Sequence, residues 1–274
     1  MTVIGTNVGA LRAGAASASA QVSLNQAMER LSTGKRINSA KDDAAGLAIA
    51  SSMGAQIRSM NQAIRNANDG MSMAQTADGA LGEVGNMLQR IRELATQSAS
   101  GTYATADRTN MNAEVTALKT QIGSILSNTK FNGVGLFDGS AGTSGSVTIQ
   151  AGASSSDTVS VSFASMTTTT LGIASTAVDS ATNATTALGT IDTALTTLNS
   201  SRAAFGAAQN QLQSVVNNLT TNVTNLSDAQ SRIQDADFSA ESTNLAKAQI
   251  LAQASTAMLA QANQSAQTVL KLLQ

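Results

Sequence analysis

The chain has 274 residues and a formal net charge of −1, with 12% charged and 2% aromatic residues and no His, Cys, Pro or Trp. This length is enough for two modest domains. The composition excludes a basic nucleic-acid binder, because no stretch supplies the surplus of Lys and Arg that phosphate contacts require. No run of about 18 apolar residues occurs, so we expect no membrane insertion. Because proline is absent, helices can run long without interruption.

The first predicted helix extends from Ile4 to Leu31 and would be roughly 42 Å long. Its apolar residues recur at alternating steps of four and three, as on one face of a coiled-coil helix. The phase breaks at Asn25 and resumes with Leu24, Met28 and Leu31. The first phase consists of Ile4, Val8, Leu11, Ala15, Ala18 and Val22.

A short polar segment, Gly34 to Asp43, follows this helix, and we call it the spoke. Gly34 suits the left-handed residue that commonly ends a helix. The residues from Ser39 to Asp42 are predicted to form a capping box, with Asp in the acidic position. The density of polar side chains favours a hinge between two layers of the fold. The predicted hinge residues are Gly34, Arg36, Asn38, Asp42 and Asp43.

Two longer helices are predicted in the interior of the chain. Apolar residues at helical spacing run from Ile57 to Ala99, roughly 65 Å, and from Leu188 to Leu226, roughly 58 Å. Asn68-Asp69-Gly70 resembles a turn, but the heptad phase holds across it. We therefore predict a continuous helix there, at a cost of about 1 kcal/mol for the glycine. A further helix is predicted at about Thr105 to Ser127.

The region from about 131 to 180 is predicted to contain the β structure. Asn132-Gly133 is the residue pair of a tight hairpin turn. Val147 and Ile149, followed by Val159 and Val161, alternate with small polar residues as half-buried strands do. The polar patch around residues 167–170 is expected to lean toward β structure as well.

The last predicted helix extends from Leu245 to Leu273 and would be roughly 43 Å long. One apolar face runs along its whole length, with Ser255 as the single polar member. Alone in water such a helix would be marginal, so it needs a partner. The similar length of the first helix predicts that the two terminal helices lie side by side. The face consists of Leu245, Ala248, Ala252, Ser255, Leu259, Ala262, Ala266, Val269 and Leu273.

The predicted fold is therefore mainly α. We expect an elongated set of nested antiparallel helical hairpins with coiled-coil pairing and a small β-hairpin region at the distal turn. Residues 1–40 together with 235–274 are predicted to form a terminal coiled-coil domain. Residues 41–234 are predicted to form a helical rod domain.

Several segments closely resemble the signatures of bacterial flagellin. The N-terminal ones are LSTGKRINSAKDDAAGLAIA at 31–50, RNANDG at 65–70, LQRIRELA at 88–95 and FNG at 131–133. The C-terminal ones are SRIQDADF at 231–238 and QANQ at 261–264. The resemblance covers nearly all of the first 139 residues and about the last 60. Only about fifty residues lie where the longest family members insert outer domains.

The resemblance implies a filament subunit whose terminal helices pair into a coiled coil lining the central channel of the filament. It further implies type III export without a cleaved signal peptide, an extracellular location on the bacterial flagellum, and a role in swimming motility. The implied partners are further copies of the chain and other flagellins, an export chaperone and the export apparatus, the filament cap and hook-associated proteins. A host innate-immune receptor that reads an exposed helix face is a further implied partner.

The candidate site residues follow from these expectations. The predicted polymerisation seam consists of Ile4, Val8, Leu11, Leu245, Ala252, Leu259, Ala266, Val269 and Leu273. The face that matches the immune-receptor site consists of Gln89, Arg90, Leu94 and Glu114. The alternative for this face is that it packs against a neighbouring subunit. O-glycosylation is also a family property, and residues 140–186 offer Ser and Thr acceptors.

No catalytic, cofactor or metal site is expected. Asp42 and Asp43 resemble an acid–base pair and Asp235 with Asp237 a metal site, but both clusters precede predicted helices, where negative charge is favourable. Carboxylates without His or Cys make a poor transition-metal site. A hook–filament junction protein is the alternative function. A chemoreceptor-like signalling coiled coil is less favoured, because it would require a membrane-spanning segment or a membrane partner.

Overall fold

The computed structural model describes residues 6–271, apart from the side chains of Ala266, Val269, Leu270 and Lys271. The described residues form five α-helices and four short strands, so the prediction of a mainly α fold is confirmed. The helices are α1 (Val8–Thr33), α2 (Ala44–Ala99), α3 (Thr105–Asn128), α4 (Ala181–Gln234) and α5 (Phe238–Lys271). The strands are β1 (Lys130–Phe131), β2 (Val134–Gly135), β3 (Ser146–Gln150) and β4 (Thr158–Ser162).

The chain divides into two compact units. The terminal unit comprises residues 1–55 and 225–274, and the central unit comprises residues 56–224.

In the terminal unit, α1 and α5 pack side by side in opposite directions. At one end of the pair the side-chain amide of Asn7 donates a hydrogen bond to the carbonyl oxygen of Ala262, at 3.0 Å. At the other end Arg30 Nη1 lies 3.8 Å from Glu241 Oε2. Since the start of α1 meets the late part of α5, the pair is antiparallel.

The ends of these helices are capped as the local sequence allows. The Asn7 side chain accepts a hydrogen bond from the Ala10 backbone N–H at the start of α1. Gly34, with φ 71°, ends α1 in the left-handed conformation that glycine adopts without strain. The Asp237 carboxylate accepts hydrogen bonds from the backbone N–H groups of Ser239 and Ala240 at the start of α5.

Backbone hydrogen bonds also join the segment that follows the C-terminal end of α1 to the segment that precedes the N-terminal end of α5. We call these bonds the clasp and these two helix ends the feet of α1 and α5. Arg36 N–H donates to the Gln234 carbonyl at 2.7 Å, and Ala236 N–H donates to the Gly34 carbonyl at 3.0 Å. The clasp therefore holds the C-terminal end of α1 close to the N-terminal end of α5.

In the central unit, α2, α3 and α4 enclose one core of large apolar side chains with the β segments. Two ion pairs tie α2 to α4: Arg92 Nε lies 2.7 Å from Asp192 Oδ1, and Arg202 Nε lies 2.8 Å from Asp78 Oδ1. Asp78 precedes Arg92 in α2, whereas its partner Arg202 follows Asp192 in α4, so these two helices are antiparallel. The largest fully buried side chains of this core are Leu81, Leu88, Ile91, Ile122, Leu136, Phe137, Phe163, Ile173, Ile191, Leu198 and Phe205.

The two β-hairpins are antiparallel and lie where the sequence predicts them. Asn132 and Gly133, with φ 50° and 82°, form the two-residue turn between β1 and β2. Val147 pairs with Val161 and Ile149 with Val159 between β3 and β4. The expected β character of residues 167–170 is wrong, because their hydroxyls bond one another and nearby backbone groups in a turn.

Gly70 shows why a glycine lies in the middle of α2. The helix is continuous through this residue, as predicted. A Cβ atom built on Gly70 would lie 2.1 Å from Ile149 Cδ1 and 3.3 Å from Leu212 Cδ1. Both neighbours are buried, and the end of the Ile149 side chain would have to shift to admit a methyl group at Gly70. Ile149 of β3 therefore packs directly on the backbone of α2 at Gly70.

We expect Gly70→Ala to lower the free energy of unfolding of the central unit by about 1–3 kcal/mol, because overpacking outweighs the better helix propensity of alanine. Gly79 is the matched control, since it lies in α2 with no atom within 4 Å of its would-be Cβ. Gly79→Ala should instead raise the free energy of unfolding by about 1 kcal/mol. Urea unfolding followed by circular dichroism measures both. Equal effects of the two substitutions would show that Ile149 does not pack on this glycine.

Candidate assembly surface

Helix α1 carries two apolar faces, and only one of them meets α5. The inward face consists mainly of alanine and is buried or half-buried. The outward face lies on the opposite side of the helix and is exposed, with Val8 at 48%, Leu11 at 65% and Val22 at 64% of full exposure. The inward face consists of Ala10, Ala13, Ser17, Ala20, Leu24, Ala27 and Leu31. The outward stripe consists of Val8, Leu11, Ala15, Ala18 and Val22.

Between residues 8 and 22 the larger side chains of α1 therefore point away from α5. Burial of a Val or Leu side chain stabilises by about 1.5–3 kcal/mol, so leaving three of them in water sacrifices free energy that another surface can recover. An exposed apolar stripe rimmed by polar residues is typical of a protein–protein contact.

Helix α5 turns its predicted apolar face toward α1. Leu245, Ala252 and Leu259 are half-buried, and Ala248 is buried in the same contact. Other apolar side chains of α5 remain in solvent beside this face. These exposed residues, which we call the α5 flank, are Ile250, Leu251 and Met258.

The structure thus divides the predicted polymerisation seam. It brings Leu245, Ala252 and Leu259 against α1 within the chain and leaves Val8 and Leu11 in solvent on the far side of α1. Ile4 and Leu273 lie outside the described residues, as do the side chains of Ala266 and Val269. The role of the seam in polymerisation stays a prediction.

The sequence carries a weak signal for the inward face of α1. The phase break at Asn25 separates two apolar registers, and the register of Leu24 and Leu31 is the one that meets α5. Extended toward the N-terminus in heptad steps, that register reaches only Ser17 and Ala10. Such small residues carry little weight in a search for apolar faces.

Hydrogen bonds to two neighbouring carboxylates organise the spoke. Asp42 Oδ2 accepts hydrogen bonds from the Ser39 N–H at 3.0 Å, the Asn38 N–H at 3.1 Å and the Ser39 hydroxyl at 3.1 Å. These bonds lower the pKa of Asp42 below its ordinary value of 3.8, the Ser39 N–H having the largest effect. Arg36 reaches the Ile233 carbonyl through Nη2, at 2.6 Å.

The predicted capping box is wrong in its residues. Helix α2 begins at Ala44, and the carboxylate that caps it belongs to Asp43, which accepts a hydrogen bond from the Gly46 N–H at 2.8 Å. Asp42 belongs to the preceding turn because its oxygen is already shared by three donors there. The prediction places the N-cap at Ser39, but Ser39 and Asp42 bond each other in a turn that precedes the helix, and the N-cap is Asp43.

The predicted immune-receptor face lies in the central unit, and it is smaller than expected. Arg90 bridges two helices, since its guanidinium contacts Glu114 of α3 and Glu93 of α2, each at 2.9 Å. Gln89 is exposed beside it. Leu94, by contrast, is only 2% exposed and belongs to the core. Leu94 is therefore not available on this surface.

The acidic pairs serve the helix ends. Asp237 caps α5, and Asp235 accepts a hydrogen bond from the Ser231 hydroxyl at 2.7 Å. Within residues 6–271 no group of three His, Cys, Asp or Glu side chains is arranged to hold a metal ion. None of the helices in that same range is apolar enough over a sufficient length to cross a membrane.

Two family sequence profiles match most of the chain. The bacterial flagellin N-terminal helical region matches residues 4–142, and the bacterial flagellin C-terminal helical region matches residues 188–273. The flagellar filament 33 kDa core protein of Treponema phagedenis is 40% identical over 99% of each chain. A flagellin of Halalkalibacterium halodurans is 42% identical over 92% of this chain and 93% of its own length.

Solved structures are similar to the chain as well. A Bacillus cereus flagellin is 35% identical with a TM-score of 0.52, over 61% of this chain and 94% of its own. A candidate flagellar hook-associated protein of Vibrio parahaemolyticus gives a TM-score of 0.59 at 14% identity, over 71% of this chain and 100% of its own. At that identity the second similarity concerns the fold alone.

The bonds to Asp42 predict a pH dependence of the terminal unit. Because the pKa of Asp42 is lowered in the folded state, its contribution to stability is present above about pH 3.8 and is lost as the pH falls through the lower folded value. We expect Asp42→Asn to lower the melting temperature of the terminal unit at pH 7. The difference from the unsubstituted chain should shrink steadily below about pH 3.8.

Circular dichroism melts between pH 7 and pH 2.5 measure this difference. Asp228→Asn is the control, because Asp228 is exposed in the same unit and its carboxylate accepts no hydrogen bond within the described residues. A difference for Asp42→Asn that stays constant down to pH 2.5 would contradict the assigned hydrogen bonds.

Proposed function

The chain belongs to the bacterial flagellin family and is a structural subunit of the flagellar filament, and we propose that its terminal unit joins neighbouring copies in that filament. In this proposal residues 1–40 and 235–274 are the filament-core domain, and residues 41–234 are a separate helical domain with its β region at about 131–180. The observation that carries the proposal is the outward stripe of α1, which is apolar and exposed although α5 packs on the same helix.

The contact between α1 and α5 contributes little free energy of folding to an isolated chain. Its internal contact is formed mainly by alanines, and each alanine buries far less apolar area than a leucine or valine. Burial of Val8, Leu11 and Val22 against another copy would contribute about 1.5–3 kcal/mol for each side chain as an upper value, since ordering the side chains costs entropy. Assembly therefore supplies what the isolated pair of helices lacks.

The positions of the two exposed apolar surfaces favour a filament over a closed dimer. The outward stripe of α1 and the α5 flank are different surfaces of the same unit, and both are exposed. A contact between the stripe of one copy and the flank of the next is heterologous, because each copy still has one surface free. Repeated by a rotation and a translation, such a contact builds an open helical polymer.

The remaining predicted seam residues enter the proposal with different roles. Leu245, Ala252 and Leu259 hold α5 against α1, which is what presents the stripe. Ile4, Ala266, Val269 and Leu273 are proposed to continue the contact beyond the described part. The spoke residues Gly34, Arg36, Asn38, Asp42 and Asp43 are proposed to form the hinge between the two domains, since they are held by hydrogen bonds rather than by a core.

The finer partners of the chain belong to this proposal too. We propose type III export without a cleaved signal peptide, followed by assembly at the filament cap outside the cell, with other flagellins and hook-associated proteins as neighbours. Two features support it: a chain without disulfides or proline passes readily through a channel unfolded, and the exposed stripe requires an export chaperone or another copy to cover it. A structural role without catalysis, cofactor or metal fits the family.

A host innate-immune receptor remains a proposed partner of the central unit. The surface that supports it consists of Gln89, Arg90 and Glu114, which are exposed, with Arg90 and Glu114 held by their ion pair. Leu94 is not part of this surface.

A hook–filament junction protein is the second candidate function. The fold similarity to the hook-associated protein of Vibrio parahaemolyticus favours it, but that similarity lies at 14% identity, against 40% for the filament core protein of Treponema phagedenis. Electron microscopy of the purified, seeded protein distinguishes the two, because a junction protein does not elongate into long filaments.

We expect Leu11→Asp to abolish polymerisation while α1 and α5 stay paired, because the charge lies on the outward stripe and not in the internal contact. Sedimentation and electron microscopy of salt-seeded protein measure polymer, and far-ultraviolet circular dichroism measures helix content. Ser23→Asp, which adds the same charge to an exposed polar position rotated by about 100° from Val22 around α1, is the control and should polymerise. Ordinary filaments from Leu11→Asp would show that the stripe is not the interface.

Leu259→Asp should also abolish polymerisation, but by a different route. Leu259 is half-buried between α5 and α1, so a carboxylate there separates the two helices. We therefore expect a loss of helix content equivalent to the terminal helices, with unchanged unfolding of the central unit. Retained helix content together with normal filaments would contradict the assigned contact.

A further inference from the structure

The contact between α1 and α5 has a register that apolar packing does not determine. Two contacts define this register. Arg30 meets Glu241, and a Cβ atom on Gly9 would lie 3.5 Å from Ala262 Cβ. Both intervals, from Gly9 to Arg30 and from Glu241 to Ala262, span three heptads (21 residues), so the two helices stay in step over the whole contact.

Counting in heptads between these two contacts shows, to within about one residue, which residues share a level. Leu245 lies level with Ala27, Leu24 with Ala248, and Leu259 with Ala13. These three leucines therefore face alanines, which lets the two helices approach closely there. The buried state of Ala27 and Ala248 agrees with this arrangement.

A slip of one heptad preserves this size matching. In that register Leu31 would lie level with Ala248, Leu24 with Ser255, and Leu259 with Ala20. Every leucine would again face a small side chain. Because the two registers bury similar apolar surface, the hydrophobic effect does not choose between them.

The charged residues of the contact do distinguish the registers. Glu241 is 8% exposed in a contact made mainly of small and apolar side chains, and Arg30 is the cation beside it. In the slipped register Arg30 would lie level with Ala248, seven residues beyond Glu241, and Glu241 would lose Arg30 as its partner. A slip in the other direction would place Leu24 against Glu241. Either slip separates Arg30 from Glu241, and a charge that stays buried without its counter-charge is strongly unfavourable.

The surroundings of Arg30 support the same conclusion. Its Nε is buried without a hydrogen-bond partner in the described part of the chain, so its position is not explained by an optimised network. A buried polar group that is imperfectly satisfied contributes little stability, and its best-attested role in a coiled coil is to fix the register.

We propose that the Arg30–Glu241 ion pair is the register determinant of the α1–α5 contact. It acts together with the hydrogen bond from Asn7 to the Ala262 carbonyl at the other end. The alanine-rich faces allow the two helices to approach, and the ion pair selects one of the heptad registers that they permit.

The register has a consequence for assembly, and this step rests on the proposed function. The outward stripe of α1 and the α5 flank belong to different helices. Their relative height is set by the register, and a slip of one heptad would shift one surface by roughly 10 Å relative to the other. A neighbouring copy that contacts both surfaces would no longer fit.

The clasp is the rival explanation, because its backbone hydrogen bonds also tie the feet of the two helices. Side-chain substitution separates the two explanations. Glu241→Gln keeps the size of the side chain and every backbone group of the clasp, and it removes only the charge.

Engineered disulfides report the register directly, since the natural chain has no cysteine. Gly9→Cys with Ala262→Cys reports the observed register, because the 3.5 Å between Cβ positions suits a disulfide. Ala16→Cys with Ala262→Cys reports a slip of one heptad, and Gly9→Cys with Ser255→Cys reports the opposite slip. Each pair is oxidised in the full chain, in both the polymer and the soluble fraction. Mass spectrometry after a non-reducing gel quantifies the intramolecular bond.

With Arg30 and Glu241 in place, we expect the observed-register disulfide to exceed either slipped one by about tenfold or more, as a buried unpaired charge requires. Glu241→Gln should reduce this preference to about threefold or less, because both registers then bury no carboxylate. The exchange Arg30→Glu with Glu241→Arg should restore it. Glu29→Gln, an exposed neighbour of Arg30, is the control and should leave it unchanged.

An undiminished preference in Glu241→Gln would overturn the proposal, because the clasp and packing would then suffice. Loss of all three disulfides would overturn it too, since the pair would then be needed for helix pairing and not for its register. The same change in Glu29→Gln would make the effect non-specific. Normal polymerisation of Leu11→Asp would refute the proposed assembly surface while leaving the register result intact.

Discussion

Helix α1 is one rigid element with two apolar faces, and it can bury only one of them against α5. Over residues 8–22 the hydrophobic effect alone would turn the face with Val8, Leu11 and Val22 inward, because that face carries the larger side chains there. The observed orientation is the reverse. The constraint acts at the foot of the helix, where Leu24 and Leu31 share a phase with the small inward residues and Arg30 meets Glu241. The contacts at the C-terminal end of α1 fix the rotation of the helix about its own axis. Because the helix is rigid, its N-terminal part has the same orientation.

The central unit solves the same packing problem in the opposite way. Its helices direct their large side chains inward, and the rings of Phe163 and Phe205 meet with centroids 5.2 Å apart. Even the space beside Gly70 in the middle of α2 is filled, because Ile149 packs on the backbone there. This unit completes its core within one chain. The terminal unit leaves Val8, Leu11 and Val22 of α1 exposed, and these are the side chains that the proposed function assigns to contacts between copies.

The sequence was sufficient for the long helices, because their apolar periodicity extends over many turns and no proline interrupts it. It was also sufficient for the hairpin at Asn132-Gly133, whose positive φ values few other residues adopt readily. It failed where the deciding residues are small or adjacent. Alanine and serine contribute little to an apolar pattern, so the pattern does not reveal the inward face of α1. The Ser39–Asp42 spacing predicts a cap at Ser39, whereas the carboxylate that caps α2 belongs to Asp43. Leu94 was misassigned because the resemblance identifies a position and not the direction of its side chain.

Specificity and affinity have different physical sources in the terminal unit. Within the chain the contact is specified by polar groups that add little net stability, since desolvating Arg30 and Glu241 offsets most of their attraction. Between copies the available surface is apolar and almost free of charge, so it offers free energy through burial but little selectivity by itself. In the proposed function the two are linked, because a neighbour that covers the stripe would add stability to the pair of helices, and the register would set the height at which the stripe is presented. Folding of the terminal unit is therefore expected to be coupled to assembly.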